Sequence, residues 1–431
     1  MEQKTFWTAA VILIFTLMFA TSAGAQTYQV LYTFVGGPDG AFPEMRGPLV
    51  FDAEGNLYGT NDRRGNPGNW NGQGVVFKLT PGVGGTWTET SLYIFCPNDW
   101  NVCSDGAYPG TSVIFDKAGT LYGATILGGT GSCYIDGIYG CGVIFKLAPN
   151  PDHSWTYTAL YKFTGGSDGS IPIGRLTFDK NGNLYGTTSQ GGLYGVGVVY
   201  ALRHNQNDTW TEQVLHHFKP RLDGENPEGG LIFDEAGNLY GEAPSGGAYR
   251  YGTIFKLSPN SDGSWSRKVL HYFTGGRDGG NPYGGLFIDA TGNLYGTTQY
   301  GGAYGNGVIF KGTPKPDGSW GERVLHHFTG GKDGANPYST LVIDGAGNLY
   351  GMTQYGGAYG AGVIFKGTPK PDGSWSGRVL HEFTGGEDGG WPVGGGLTVD
   401  VLGNLYGTAN GGGDLGCNFG NGCGVVFEIT P

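Results

Sequence analysis

Basic clusters are missing from this 431-residue sequence: its 25 Lys and Arg are scattered among 36 Asp and Glu, and the formal net charge is −11. Nucleic acid is held largely by clustered cations that displace counterions from phosphate, so no nucleic-acid partner is expected, nor an anionic membrane surface. After residue 25 no long apolar run follows, so no membrane span is expected in the mature chain. Reactive signatures are lacking as well. The sequence has no GxSxG elbow, HExxH pair or Ser-His-Asp grouping. No CxxC or neighbouring His pair suggests zinc, and no GxxxxGK[ST] loop cradles phosphate. No quinoprotein-type tryptophan docking pattern repeats. The expectation is no metal, no cofactor and no catalytic residue.

What is abundant is glycine, at 87 residues, with 26 Tyr and 23 Phe. There is no G-X-Y period, so this is not collagen, and the regular aromatic and β-branched residues between glycines argue against disorder. Short strands joined by tight turns fit this composition.

The N-terminus reads as a signal peptide. Lys4 supplies a positive start, Phe6 to Ala20 an uncharged apolar stretch, and Ala23-Gly24-Ala25 a small-residue cleavage site. Residues 1–25 are therefore expected to be removed after Ala25, leaving residues 26–431 as one domain that is secreted, periplasmic or at the cell surface. Export makes disulfides plausible. The six cysteines allow 15 connectivities, but they fall into close pairs that favour local bridges: Cys96/Cys103, Cys133/Cys141 and Cys417/Cys423.

The phrase GNLYGTTQYGG (Gly292–Gly302) returns along the chain. Anchors at Asn56, Thr120, Asn183, Asn238, Asn293, Asn348 and Asn404 are spaced by 64, 63, 55, 55, 55 and 56 residues. A fixed period of this size means a solenoid, a propeller or an array. In the fifth copy, Gly284–Asp289, Leu294–Thr298, Gly307–Gly312 and Trp320–Phe328 read as four antiparallel strands. Asp289 and Gly292 make the first turn. Seven such units give an all-β, seven-bladed β-propeller. The last copy stops after its third strand, whereas Thr27–Phe34 matches the fourth-strand pattern. That N-terminal strand should complete the last blade and close the ring, which removes exposed edges.

GNLYGTTSQGG (Gly182–Gly192), GNLYGTTQYGG and the GVIF or GVVY strands that follow them resemble the bacterial GloVer tandem repeats, of the choice-of-anchor type, over nearly the whole mature chain. The resemblance implies an exported protein and brings no activity and no catalytic residues. The sequence departs from the pattern in ending at Pro431 without an apolar tail or basic cluster, so no covalent or membrane anchor is read from it.

In a propeller the second-to-third-strand loops and the blade-to-blade crossovers share one face, here called the top. Each crossover carries an Asp before Gly, from Asp39 and Asp105 to Asp388. One carboxylate per loop reads as a local turn rather than a calcium site, which gathers several. His216, His271, His326 and His381 read as solvated histidines of outer strands. Insertions lengthen the top-face loops of blades seven, one and two, and all the cysteines lie within them. This rim holds Trp70, Trp100, Tyr134, Tyr139 and Phe419, with Asp62, Arg63, Arg64, Asp99, Asp136 and Asp414. Aromatic platforms edged by charge suit sugar rings, and stapled loops lose less entropy on binding.

The leading reading is an exported, monomeric, non-catalytic binding or adhesion propeller that engages a glycan or protein on its top face. One alternative is a structural envelope or matrix protein. Another is a polysaccharide lyase or glycosidase drawing on Asp62, Asp99, Asp136 and Asp414, for which paired carboxyls must lie roughly 5–9.5 Å apart.

Overall fold

The computed structural model describes residues 26–43, 47–63, 73–97, 102–317 and 319–431. The segment read as a signal peptide lies outside them. Seven antiparallel sheets follow one another around a ring, and the described residues contain no α-helix. Blade five runs Phe287–Ile288, Leu294–Thr298, Val308–Pro314 and Trp320–His327, in that order across the sheet. The four strands expected from the sequence are all present, the first reduced to two residues.

A carboxylate clasp explains the repeated phrase. Asp289 accepts hydrogen bonds from the Asn293 backbone N–H (2.9 Å), the Asn293 amide (2.8 Å) and the Tyr295 hydroxyl (3.2 Å). Burial works to raise the Asp289 pKa, but the bonds from Asn293 and Thr291 prevail and hold it below the ordinary value. Gly292 sits in the turn at φ 80°, the left-handed region that glycine enters without strain. The second glycine of the phrase has a different task. A Cβ on Gly296 would lie 2.6 Å from the Phe310 ring, so only glycine lets the neighbouring strand's ring pack there.

Aromatic pairs join the blades. The Phe that follows each fourth strand packs edge-on against the third-strand aromatic of the next blade: Phe273 on Phe310 at 5.3 Å, Phe328 on Phe365 at 5.3 Å. In other seams Trp210 of blade three meets Tyr122 of blade two, and Trp265 of blade four meets Tyr185 of blade three.

The ring closes as the sequence indicates. Thr27–Thr33 pairs antiparallel with Val425–Thr430 and supplies the last blade's fourth strand. Phe34 then packs on Phe77 of blade one at 5.2 Å and 63°, matching the Phe95–Phe145 seam at 5.1 Å and 63°. Removing residues 26–33 is expected to expose the edge of Val425–Thr430 and one face of blade one. Leu31→Ala, at a buried position, is expected to lose about 2–5 kcal/mol. Urea unfolding checks both: a deletion variant as stable as the full ring would show that closure is not needed.

Candidate functional site

Crossovers and second-to-third-strand loops do meet on one face. Ala41 bridges Arg63, Ala107 bridges Leu127, and Gly280 bridges Tyr300. The crossover aspartates are turn residues: Asp39 Oδ1 accepts from Gly37 N–H and its Oδ2 from Val35 N–H. Each carboxylate also anchors an aromatic of the preceding outer strand. Tyr32, Tyr93 and Tyr161 donate hydroxyls to Asp39, Asp105 and Asp168. His216, His271, His326 and His381 place Nε2 3.0–3.2 Å from Asp223, Asp278, Asp333 and Asp388. These histidines are therefore not freely solvated as the sequence suggests. The alternation that turns them outward also turns them onto the crossover.

The rim is stapled as expected, by Cys96–Cys103, Cys133–Cys141 and Cys417–Cys423. The first bridge packs on Leu127 and Ile138, so the crossover into blade two is fastened to that blade's own top loop. The third joins the core formed with Phe34 and Ala41, and Phe42 N–H donates to Cys423 O.

The predicted rim residues divide. Arg63 lies over the Tyr108 ring at 5.7 Å. Burial pushes the Tyr108 hydroxyl pKa up; Arg63 opposes the shift, and Asp62 and Asp136 add to it. Asp62, Arg63 and Asp136 are thus brought together around Tyr108. Tyr134 and Tyr139 face each other across a short hairpin at 4.6 Å, both exposed. Asp414 stands apart, in a groove with Glu387 and Asp388, and binds its own loop through Gly416 N–H. Trp70, Trp100, Arg64 and Asp99 lie outside the described residues, as does the side chain of Phe419.

Two features escape a reading of motifs. The first is a set of exposed tyrosines that extends the predicted pair Tyr134 and Tyr139 into the same loop of successive blades: Tyr194, Tyr249, Tyr304 and Tyr359, the last 66% exposed. Their signal is the recurring Ala-Tyr-Gly or Ala-Tyr-Arg of that loop, at Tyr249, Tyr304 and Tyr359. The second lies at the axis, where Arg175 and Glu242 interrupt the pattern. The ring of residues ahead of the first strands is otherwise small, and Gly230 and Gly47 leave room for Arg175 beside them. Glu242 takes the inner-strand place that is Thr297 in the next blade. It is fully buried, with Oε2 accepting from Gly285 N–H at 2.9 Å. Burial pushes its pKa up to about 8, against the opposing effect of that hydrogen bond.

The model of the Gloeobacter/Verrucomicrobia repeat matches residues 129–319 and 265–431, together more than half of the chain. The chain belongs to that family. No curated protein matches it. Among solved structures, a Thermus thermophilus protein proposed to be an oxidoreductase (glucose dehydrogenase) is similar over 94% of this chain and 100% of its own, at 13% identity and a TM-score of 0.43. A Dyadobacter fermentans protein of unknown function is similar over 93% and 96%, at 11% identity and a TM-score of 0.42. Neither likeness carries an argument about function. The repeat-family membership accounts for the blades and is silent on the rim, the tyrosines and the axis.

Two measurements follow. Replacing Cys96 and Cys103 together by Ser is expected to lower stability by about 2–3 kcal/mol on the loop-entropy model, and to open the crossover to limited proteolysis. An unchanged digestion pattern would contradict the stapling role. Glu242, with its raised pKa, keeps a proton in the folded chain that the unfolded chain releases above pH of about 4.5. Stability should therefore fall as pH rises from about 4.5 to about 8 and level off above. Relative to Glu242→Gln the loss should reach about 3–5 kcal/mol. Parallel pH-stability curves for the two proteins would refute it.

Proposed function

We propose that this repeat-family propeller is exported and works as a non-catalytic binding module, with a glycan as the ligand of its top face. The observation that carries the reading is the row of exposed tyrosines on one loop type, from Tyr134 in blade two to Tyr359 in blade six. A phenol ring offers an apolar face for a sugar ring and a hydroxyl at its edge, and it costs little rotamer entropy to immobilise. Repetition at blade spacing suits an extended polymer that touches several blades at once, with avidity rather than a single deep pocket. Next to this row, the pair Tyr134/Tyr139 stands near the Asp62, Arg63 and Asp136 cluster, on loops held by disulfides. Charged groups there would fix orientation by hydrogen bonds to hydroxyls.

Three lines of support favour export: the signal-peptide pattern of residues 1–25, three cysteine pairs all bridged, and family membership. Disulfides persist in oxidising compartments.

Thermal melting against a panel of polysaccharides and oligosaccharides tests the proposal, since a ligand of the folded form raises the midpoint by mass action. The shift is expected to vanish in Tyr304→Ala/Tyr359→Ala and to shrink in Tyr134→Ala/Tyr139→Ala. As exposed positions, these should change unliganded stability by no more than about 0.5 kcal/mol each. No shift with any glycan would sink the glycan reading, and a shift preserved in both double variants would move the site off the tyrosines.

A further inference from the structure

The repeat provides its own reference for what fills each seam between blades. The residue two places after the start of every fourth strand reaches toward the crossover aspartate ahead of it. Arg267 pairs with Asp223 at 2.9 Å. Glu89, Glu212 and Glu322 lie close enough to Asp39, Asp168 and Asp278 to feel their charge. The remaining two filled seams use tyrosine. Tyr157 stacks on Tyr93 at 4.6 Å and 14°, and its hydroxyl donates to the Asp105 carbonyl at 2.6 Å. Tyr28 stacks on His381 at 3.7 Å and 2°, and its hydroxyl donates to the Asp388 carbonyl at 2.5 Å.

Between blades five and six that position is Gly377. The frame around it is shared with the seam that holds Tyr28 and with the seam that holds Glu322, where His271 and Thr274 bond Asp278. His326 bonds Asp333 at 3.0 Å as His381 bonds Asp388 at 3.0 Å, and Thr329 N–H donates to Asp333 at 3.0 Å as Thr384 N–H does to Asp388 at 3.0 Å. The ring is missing. A Cβ on Gly377 would meet nothing within 4 Å, and the space is a 300 Å³ cavity lined by Leu325, His326, Phe328, Asp333 and Trp375. The uncovered imidazole is 36% exposed, against 18% for His381 beneath Tyr28.

Lys332, from the crossover, brings a cation to the cavity. Its one carboxylate, Asp333, is already engaged by His326 and Thr329. Lys366 and Arg378 alternate with Phe365 and Gly377 along their strands and turn their side chains to the other face of blade six, over the Tyr350 ring and onto Gln26.

We infer that the seam between blades five and six binds a small phenol bearing a carboxylate. The ring stacks on His326, the hydroxyl donates to the backbone carbonyl of Asp333, and the carboxylate pairs with Lys332. A cavity that a tyrosine of the same chain fills in two other seams is already shaped for a phenol. Stacking and one buried hydrogen bond set the class of ligand, and Lys332 favours an acid over a neutral phenol.

The test is calorimetric titration of the purified protein with 3-(4-hydroxyphenyl)propionate, compared with 3-phenylpropionate and with 4-hydroxyphenylethanol. Saturable binding is expected, at least fivefold weaker for each analogue, and at least tenfold weaker in His326→Ala. Gly377 lies within a regular strand, so Gly377→Tyr should place its own ring in the slot, abolish binding and raise the melting midpoint. Binding undiminished in both Gly377→Tyr and His326→Ala would put the ligand elsewhere and overturn the inference. So would the absence of saturable binding to the unaltered protein at millimolar ligand. If Gly377→Tyr does not fold, the His326→Ala comparison decides alone.

Discussion

A four-stranded sheet has two faces to bury and two edges to protect, and a blade of this size can do neither alone. The constraint on which this structure depends is that every blade face must be covered by another blade. Only a closed ring meets it without terminal caps. That is why the chain spends its first described strand, Thr27–Thr33, on its last blade. The Phe34–Phe77 contact then repeats the geometry of the other seams across the join. The covalent chain leaves this seam open at the level of sequence order, and packing closes it.

Within each blade, local chemistry decides the shape before packing does. The carboxylate of Asp289 and its equivalents binds the backbone of the residue four on, in every blade but the second also the side chain of the Asn there, together with a tyrosine two further. One acid thereby fixes the turn, the register of the returning strand and the direction of the Tyr that faces the next blade's Trp. Such hairpins form with little loop entropy to lose. Stability vested in hairpins and seams frees the top-face loops from structural duty, so tyrosines can stand exposed there and insertions can be tolerated.

The fold was legible in the sequence because repetition averages out the errors of reading any one strand. Seven copies of one phrase establish the turn, the pairing and the blade count together, and the surplus N-terminal strand establishes closure. The disulfides were legible from spacing alone. The candidate sites were legible only in part. The rim stood out because insertions break the period, and the structure gathers Asp62, Arg63 and Asp136 while leaving Asp414 in another groove. Spacing could not show that, since neighbouring blades meet on loops whose paths the repeat does not dictate. The histidines were read as solvated because alternation gives the face of a strand and not what folds over it. Arg175, Glu242 and Gly377 were invisible for a further reason: each is an ordinary residue whose meaning lies in what its counterparts in the other blades do.

That last point bears on how function can reside in a repeat. When a residue departs from its counterparts in the core or in a seam between blades, the scaffold around it is unchanged, so the departure leaves a defined chemical deficit or excess. Glu242 is an excess: an acid placed where a threonine serves, proton-bound because burial without a cation disfavours its charge. Gly377 is a deficit: a frame of His, Asp and Thr that carries Tyr28 in the next seam and Glu322 in the one before, with no side chain supplied to fill it. A protein indifferent to the seam would be expected to fill it, since a stacked tyrosine is worth roughly 0.5–1.5 kcal/mol beyond its buried area and the chain makes that contact at two other seams. Glycine in a strand interior also costs conformational entropy. Two costs at one position, with every neighbour retained, argue that the space itself is what the position supplies.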